Sequence, residues 1–236
     1  MLKKIFKHKY KKLRNFTQLI SEADILQNSI RANSHNLTYI ISKLKESKLF
    51  KLEQKTKEIY FILNLIKEQN PKILCEIGAF RGGSLCGFSN VAPENSKIIS
   101  IDVNYPLKRK IAHKRFSREK QKIICINGNT QNNRTINKIR HVLGREKIDF
   151  LFIDGDHSLF GVMNDYVRFS PFVKKGGIIA FHDIHPDQLM RTGIKSSSYV
   201  GGVPLFWEAI KNSGLRVEEI IEDQEQDGYG IGIIYN

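Results

Sequence analysis

The sequence predicts an α/β protein: a doubly wound domain on a seven-stranded, mostly parallel sheet, ending in an antiparallel hairpin and preceded by a helical extension. Three observations carry this expectation. From Pro71 onward, short apolar runs alternate with helix-like stretches, as in a parallel sheet covered on both faces. The last two strand-like runs are separated only by Glu222–Tyr229, whereas a parallel crossover needs a dozen or more residues. Before Pro71 no Gly or Pro interrupts the chain, and apolar residues recur at helical spacing in Leu37, Ile40, Ile41 and Leu44 and in Ile59, Phe61, Ile62, Leu65 and Ile66.

The elements follow in order. Expected strands are Ile73–Ile77, Ile98–Ile101, Ile123–Ile126, Phe150–Ile153, Ile178–Phe181, Val217–Ile221 and Gly230–Tyr235. Helices are expected near Ser84–Val91, Ile136–Leu143, Phe160–Phe169 and Leu205–Asn212. Pro186–Gly202, with its run of serines and paired glycines, reads as a long loop at the C-terminal edge of the sheet, the kind of loop that carries function or stays irregular. Trp207, at a helix start, is expected to pack that helix onto the sheet. The division is therefore a basic helical extension over residues 1–70 and a single domain over 71–236.

Composition narrows the setting. At 236 residues the chain can bury one ordinary α/β core, and no window approaches a membrane span. The start, MLKKIFKHKYKK, is charged but has no apolar stretch or cleavage site of a secretory signal. Cys75, Cys86 and Cys125 are odd in number, unpaired in spacing and set in apolar runs, as expected of reduced core thiols in a cytoplasmic protein. The net charge is +14, of which residues 1–70 supply +9, with 15 Lys and Arg against 6 Asp and Glu. Residues 1–15 thus suit a basic amphipathic contact with an anionic membrane surface or RNA, or a solvated terminus.

A set of strand ends carries the chemistry. The first strand runs into Glu76-Ile-Gly78-Ala-Phe-Arg-Gly82-Gly83-Ser84 and then a helix. Glycines there permit a tight turn and close backbone approach to a ligand, and the helix start offers free N–H groups. Three residues separate Gly78 from Gly82, which is not the G-x-G-x-x-G spacing of dinucleotide sites. The second strand ends at Asp102, placed to accept hydrogen bonds from ribose hydroxyls, and the third at Asn127-Gly-Asn129-Thr130. The fourth ends in Asp154-Gly-Asp156-His157 and the fifth in His182-Asp183. Acid and imidazole groups directly after apolar strands are costly unless they face a cleft or a ligand.

In this company the glycine turn resembles the first motif of the class I S-adenosylmethionine-dependent methyltransferases. The hairpin ending resembles their variant of the Rossmann-like sheet. The resemblance implies that Glu76, Gly78, Gly82, Gly83, Ser84, Asp102, Asn129 and Asp154 bind S-adenosylmethionine. Glu76 would orient the methionine amino group directly or through water, and Asn129 would lie beside the adenine. The succession IDGDH, Asp165, GG-apolar-FHD and GVPLFWE is similar to the cephalosporin-hydroxylase-like and family 24 methyltransferases, themselves similar to metal-dependent O-methyltransferases. It covers about Pro71 to Tyr235. It implies a metal site of Asp154, His182 and Asp183, with Mg²⁺ first and Mn²⁺ or Fe²⁺ after it. His182 stands where the relatives usually have an acid or amide, which puts the metal in question. The place of the catalytic base is taken by His157, whose ordinary pKa near 6.5 suits proton abstraction; a turn histidine beside a helix start at Ser158 is the plainer alternative. His185 and Asp187 are placed near the acceptor pocket by proximity alone.

The expected activity is O-methylation of a small molecule, sugar or glycolipid, with homo-oligomerisation open. RNA methylation competes through the basic N-terminus, but NPPY-type and paired-cysteine signatures are absent, so a nucleic-acid acceptor is not expected. A non-catalytic binding protein on the same fold is the other alternative, and the retained Asp154, His157, His182 and Asp183 speak against it. An NAD-linked oxidoreductase is disfavoured by the glycine spacing and the closing hairpin.

Overall fold

The computed structural model describes residues 2–236, with side chains from residue 15 onward. The contact proposed for residues 1–15 therefore falls almost wholly on side chains outside the described residues. Seven strands form one sheet in the order β3-β2-β1-β4-β5-β7-β6. They are β1 (Ile73–Ile77), β2 (Lys97–Asp102), β3 (Lys122–Asn127), β4 (Ile148–Ile153), β5 (Val173–His182), β6 (Val217–Ile220) and β7 (Ile231–Tyr235). The first five run parallel. The last strand inserts antiparallel between β5 and β6, pairing Ile178 with Tyr235 and Val217 with Ile234. All five residues of β1 are buried, as a central strand covered on both faces requires. The doubly wound sheet with its closing hairpin is thus the expected one.

Helices α1 (Leu2–Arg31), α2 (Leu37–Glu46) and α3 (Thr56–Gln69) make up the extension. The Asn36 side chain caps α2 by accepting from the Tyr39 N–H at 3.0 Å, and Leu37, Ile40, Ile41 and Leu44 form its buried stripe. Helix α3 ends on Asn70 in the left-handed conformation, just before Pro71. These helices do not form a body of their own. Their Ala23, Ile30, Leu44, Ile62 and Ile66 join Leu74, Phe88, Phe150 and Phe152 in one apolar cluster on one face of the sheet.

Helix α4 (Gly83–Val91) and α5 (Leu107–Lys114) lie on that face; α6 (Asn133–Leu143), α7 (Leu159–Phe169) and α9 (Val203–Lys211) cover the other. Trp207 is 1% exposed, packs against Phe181 and donates from Nε1 to Glu219 Oε1 at 2.6 Å, so it has the packing role its position suggests.

Two local readings are corrected. The stretch 186–202 is not wholly loop, because Asp187 caps a short helix, α8 (Gln188–Thr192), by accepting from Met190 N–H at 2.9 Å. Helix α5 gives no apolar stripe in sequence, since its buried face is Ala112 and His113. His113 is held there by a 2.6 Å hydrogen bond with the Tyr105 hydroxyl and by stacking on Phe116.

Candidate active site

The carboxyl ends of β1 to β5 open on one cavity of about 660 Å³. The chain reverses its winding between β1 and β4, which places the cavity at the topological switch of the sheet, where doubly wound folds bind ligands. Gly78 leaves β1 with φ 94°, its N–H on the Ile101 carbonyl at 2.9 Å. A side chain there would run into the Asp154 carbonyl, so the turn demands glycine for both conformation and space. At the end of β2, Asp102 accepts the Phe80 N–H at 2.8 Å and the Asn104 N–H at 2.7 Å. Each carboxylate oxygen keeps a second lone pair for a ligand hydroxyl.

At the reacting end, β4 and β5 bring four titratable groups together. His182 Nδ1 is 3.3 Å from both Asp154 Oδ1 and Asp183 Oδ2. His157 Nε2 lies 3.4 Å from Asp154 Oδ1, and its Nδ1 lies 3.4 Å from Asp183 Oδ2 and 3.0 Å from the Tyr199 carbonyl. Burial alone would raise the Asp154 pKa, but His182 and then His157 hold it well below the usual carboxylate range. Burial works against charge on His182 too, yet Asp183 and Asp154 raise its pKa well above the ordinary value. For His157 burial again opposes charge; the hydrogen bond and charge of Asp154, with Asp183 behind it, win and lift it to about 9.

One ligand atom each from Asp154, His182 and Asp183 lies within 4.8 Å of the others. Two carboxylate oxygens and one imidazole nitrogen converging on a point suit a hard or borderline divalent cation. The three residues thus fit the metal expected of them, with His182 Nδ1 as the nitrogen on the carboxylate side.

The family model of a methyltransferase domain matches residues 75–184, the stretch that runs from β1 through all four of these groups. Residues 75–184 are thus similar to the methyltransferase family 24 domain. Among the chain's relatives, a candidate caffeoyl-CoA O-methyltransferase of Arabidopsis thaliana is 29% identical over 163 residues, 66% of this chain and 67% of the relative. Caffeoyl-CoA O-methyltransferase 1 of the same plant is 31% identical over 134 residues, 51% of this chain and 46% of the relative. The chain thus spans between about half and two thirds of these curated relatives. In fold it is similar to an O-methyltransferase of Bacillus cereus solved in complex with SAH. That likeness has a TM-score of 0.61 at 14% identity and covers 85% of this chain and 90% of that one.

The residues expected at the site fall on the cavity wall except Glu76, His185 and Asp187. Gly78, Gly82, Gly83, Ser84, Asp102, Asn129, Asp154, His157, His182 and Asp183 all line it. Glu76 does not: it is 1% exposed, and its carboxylate accepts from the hydroxyls of Ser84 and, at 2.9 Å, Ser100. Because β1 is covered on both faces, Glu76 points into the core side and reaches the cavity only through Ser84. Burial raises its pKa to about 7 against the pull of those two hydroxyls. His185 and Asp187 are likewise absent from the lining. Asp187 is consumed by backbone, holding Met190 N–H and, at 3.2 Å, Val200 N–H.

Several lining residues had no signal in the sequence. Lys51, Glu53 and Gln54, between α2 and α3, form one wall, and Tyr199 and Tyr229 stand beside the histidines. The Tyr199 ring stacks on His157 at 6.2 Å, and Tyr229 meets His182 edge-on at 5.9 Å. Gln54 donates to Asp154 Oδ2 at 2.9 Å. The extension therefore contributes directly to the wall of this cavity, a placement that only the assembled fold reveals.

Proposed function

We propose that this methyltransferase transfers the methyl group of S-adenosylmethionine to a hydroxyl oxygen of a small molecule or glycan. The observation that carries the reading is a single cavity. It joins the glycine turn and Asp102, suited to an adenosylated ligand, to the Asp154–His157–His182–Asp183 cluster, suited to activating a hydroxyl. The O-methyltransferases named among its relatives support oxygen as the atom methylated.

The chain's own groups divide the work. Asp102 and Asn129 hold the adenosine side and the Gly78 turn the methionine side, which fixes the sulfonium methyl relative to the cluster. Asp154, His182 and Asp183 would hold a divalent cation, which supplies polarisation of an acceptor hydroxyl. His157 is the proposed general base. Its Nδ1 meets the Tyr199 carbonyl and its Nε2 faces the cluster, and with its pKa lifted to about 9 the ring takes the hydroxyl proton only in its neutral form, which gains population toward alkaline pH. The oxygen then bonds to the methyl carbon as the carbon–sulfur bond breaks, and the sulfonium leaves as a neutral thioether. Tyr199 and Tyr229 offer aromatic faces at the mouth for the body of the acceptor.

Calorimetric titration of S-adenosylmethionine, with and without Mg²⁺ or Mn²⁺, tests the reading. Micromolar binding that disappears in Asp102→Ala protein supports it. Absence of binding under every metal condition overturns it.

A further inference from the structure

One wall of the cavity carries a row of alternating charge. Lys51 Nζ is 3.1 Å from Glu53 Oε2, and Glu53 Oε1 is 3.9 Å from Arg81 Nη1. All three residues line the cavity, two from the segment between α2 and α3 and one from the glycine turn. The row is seated on the turn. A side chain at Gly83 would meet the Lys51 carbonyl at 2.6 Å and the Leu52 Cα at 2.7 Å, so the two backbones are in contact with no room between them.

The side chains of the row are 38–47% exposed. Ion pairs so open to water stabilise a fold by only about 0–1 kcal/mol, so stability gives little reason for the row. A ligand carrying both charges gives a better one. S-adenosylmethionine ends in an α-amino acid, an ammonium and a carboxylate on one carbon. Its adenosine belongs with Asp102 and Asn129, and its methyl must face the Asp154 cluster. The wall left for the amino acid is the one bearing Lys51, Glu53 and Arg81. Glu76, the acid that the sequence offers for this task, is turned away and occupied by Ser84 and Ser100.

We infer that Lys51, Glu53 and Arg81 form the receptor for the methionine end of the cofactor, with the carboxylate against Lys51 and Arg81 and the ammonium against Glu53. The inference rests on the S-adenosylmethionine reading above. It assigns part of the recognition of the amino acid, through Lys51 and Glu53, to the helical extension, outside the residues matched by the family model.

Two probes of the full-length protein separate the inference from that reading. S-adenosylhomocysteine carries the amino acid; methylthioadenosine keeps the adenosine and the thioether without it. In calorimetric titrations, Lys51→Met and Glu53→Gln should each weaken S-adenosylhomocysteine binding about tenfold, the size expected for one charge-assisted contact. Methylthioadenosine binding should stay within about twofold, and Lys51→Arg should restore the loss. Equal weakening of both probes, or unchanged binding of S-adenosylhomocysteine, overturns the inference and leaves the cofactor reading standing. A wild-type protein that binds neither probe overturns both.

Discussion

The side-chain amide of Gln54 donates to Oδ2 of Asp154, joining two residues one hundred positions apart. Gln54 is 4% exposed, so the bond is shielded from water. It occupies one carboxylate oxygen and leaves Oδ1 to His182 and His157. Removing a buried donor to a charged acceptor costs about 1–3 kcal/mol. Urea denaturation of Gln54→Ala should show a loss of that size. Gln54→Glu would set a second acid beside Asp154, and its loss of stability should be larger at pH 8 than at pH 5, because neighbouring carboxylates resist joint ionisation.

Glu76 gives the fold a pH dependence whose direction is fixed. Its pKa is about 7 in the folded chain against an ordinary value of 4.5, so the native state keeps a proton that the unfolded chain releases. Its favourable contribution is fully present below pH 4.5, falls as pH rises and is gone above pH 7, a change of about 3 kcal/mol. Glu76→Gln keeps a neutral group in the same place. Denaturation curves from pH 4 to pH 8 should show the variant gaining on the wild type by about that amount.

Gly78→Ala tests the turn. The left-handed backbone alone costs a non-glycine residue about 1–2 kcal/mol, and the new carbon meets the Asp154 carbonyl. The expected result is a melting temperature lowered by several degrees, together with loss of S-adenosylhomocysteine binding by calorimetry.

Asp183→Ala removes one of the three convergent ligand atoms. Titration of Mn²⁺ followed by electron paramagnetic resonance should show at least about a tenfold loss of metal affinity. Adenosine contacts lie on other strands, so methylthioadenosine affinity should change by less than about threefold.

Trp207→Ala should cost about 3–5 kcal/mol in chemical denaturation, as large aromatic truncations in a core do. Its ring packs over Gly232 of β7 and against Phe181, so the variant also loosens the hairpin strand.

How far these features could be read in the sequence depended on the range of the interaction. Local periodicity and apolar runs located every strand, because burial on both faces leaves an uninterrupted signal in a stretch such as Ile73–Ile77. Strand ends rich in acid and imidazole pointed to Asp154, His157, His182 and Asp183, since charge beside a buried strand has few structural uses. Helix α5 was hidden because its buried face rests on a hydrogen-bonded histidine, His113, in place of aliphatic residues. That Glu76 reaches the cavity only through Ser84 was not legible, because motif spacing does not say which side of β1 a side chain takes. The wall formed by Lys51, Glu53 and Gln54 is a long-range meeting that leaves no periodic trace in the sequence.

The position of β7 makes the wall behind the site depend on a distant stretch of sequence. The strand is last in the chain but lies inside the sheet, paired on one side to β5 and on the other to β6. His182, a proposed metal ligand, is itself paired to Ile231, the first residue of that strand. The glycine turn, the acid cluster and every helix precede β7 in the sequence, yet β5 takes its outer partner from β7. Without β7, β5 and β6 would each present an open edge, and the sheet that carries the site would end on the strand bearing His182.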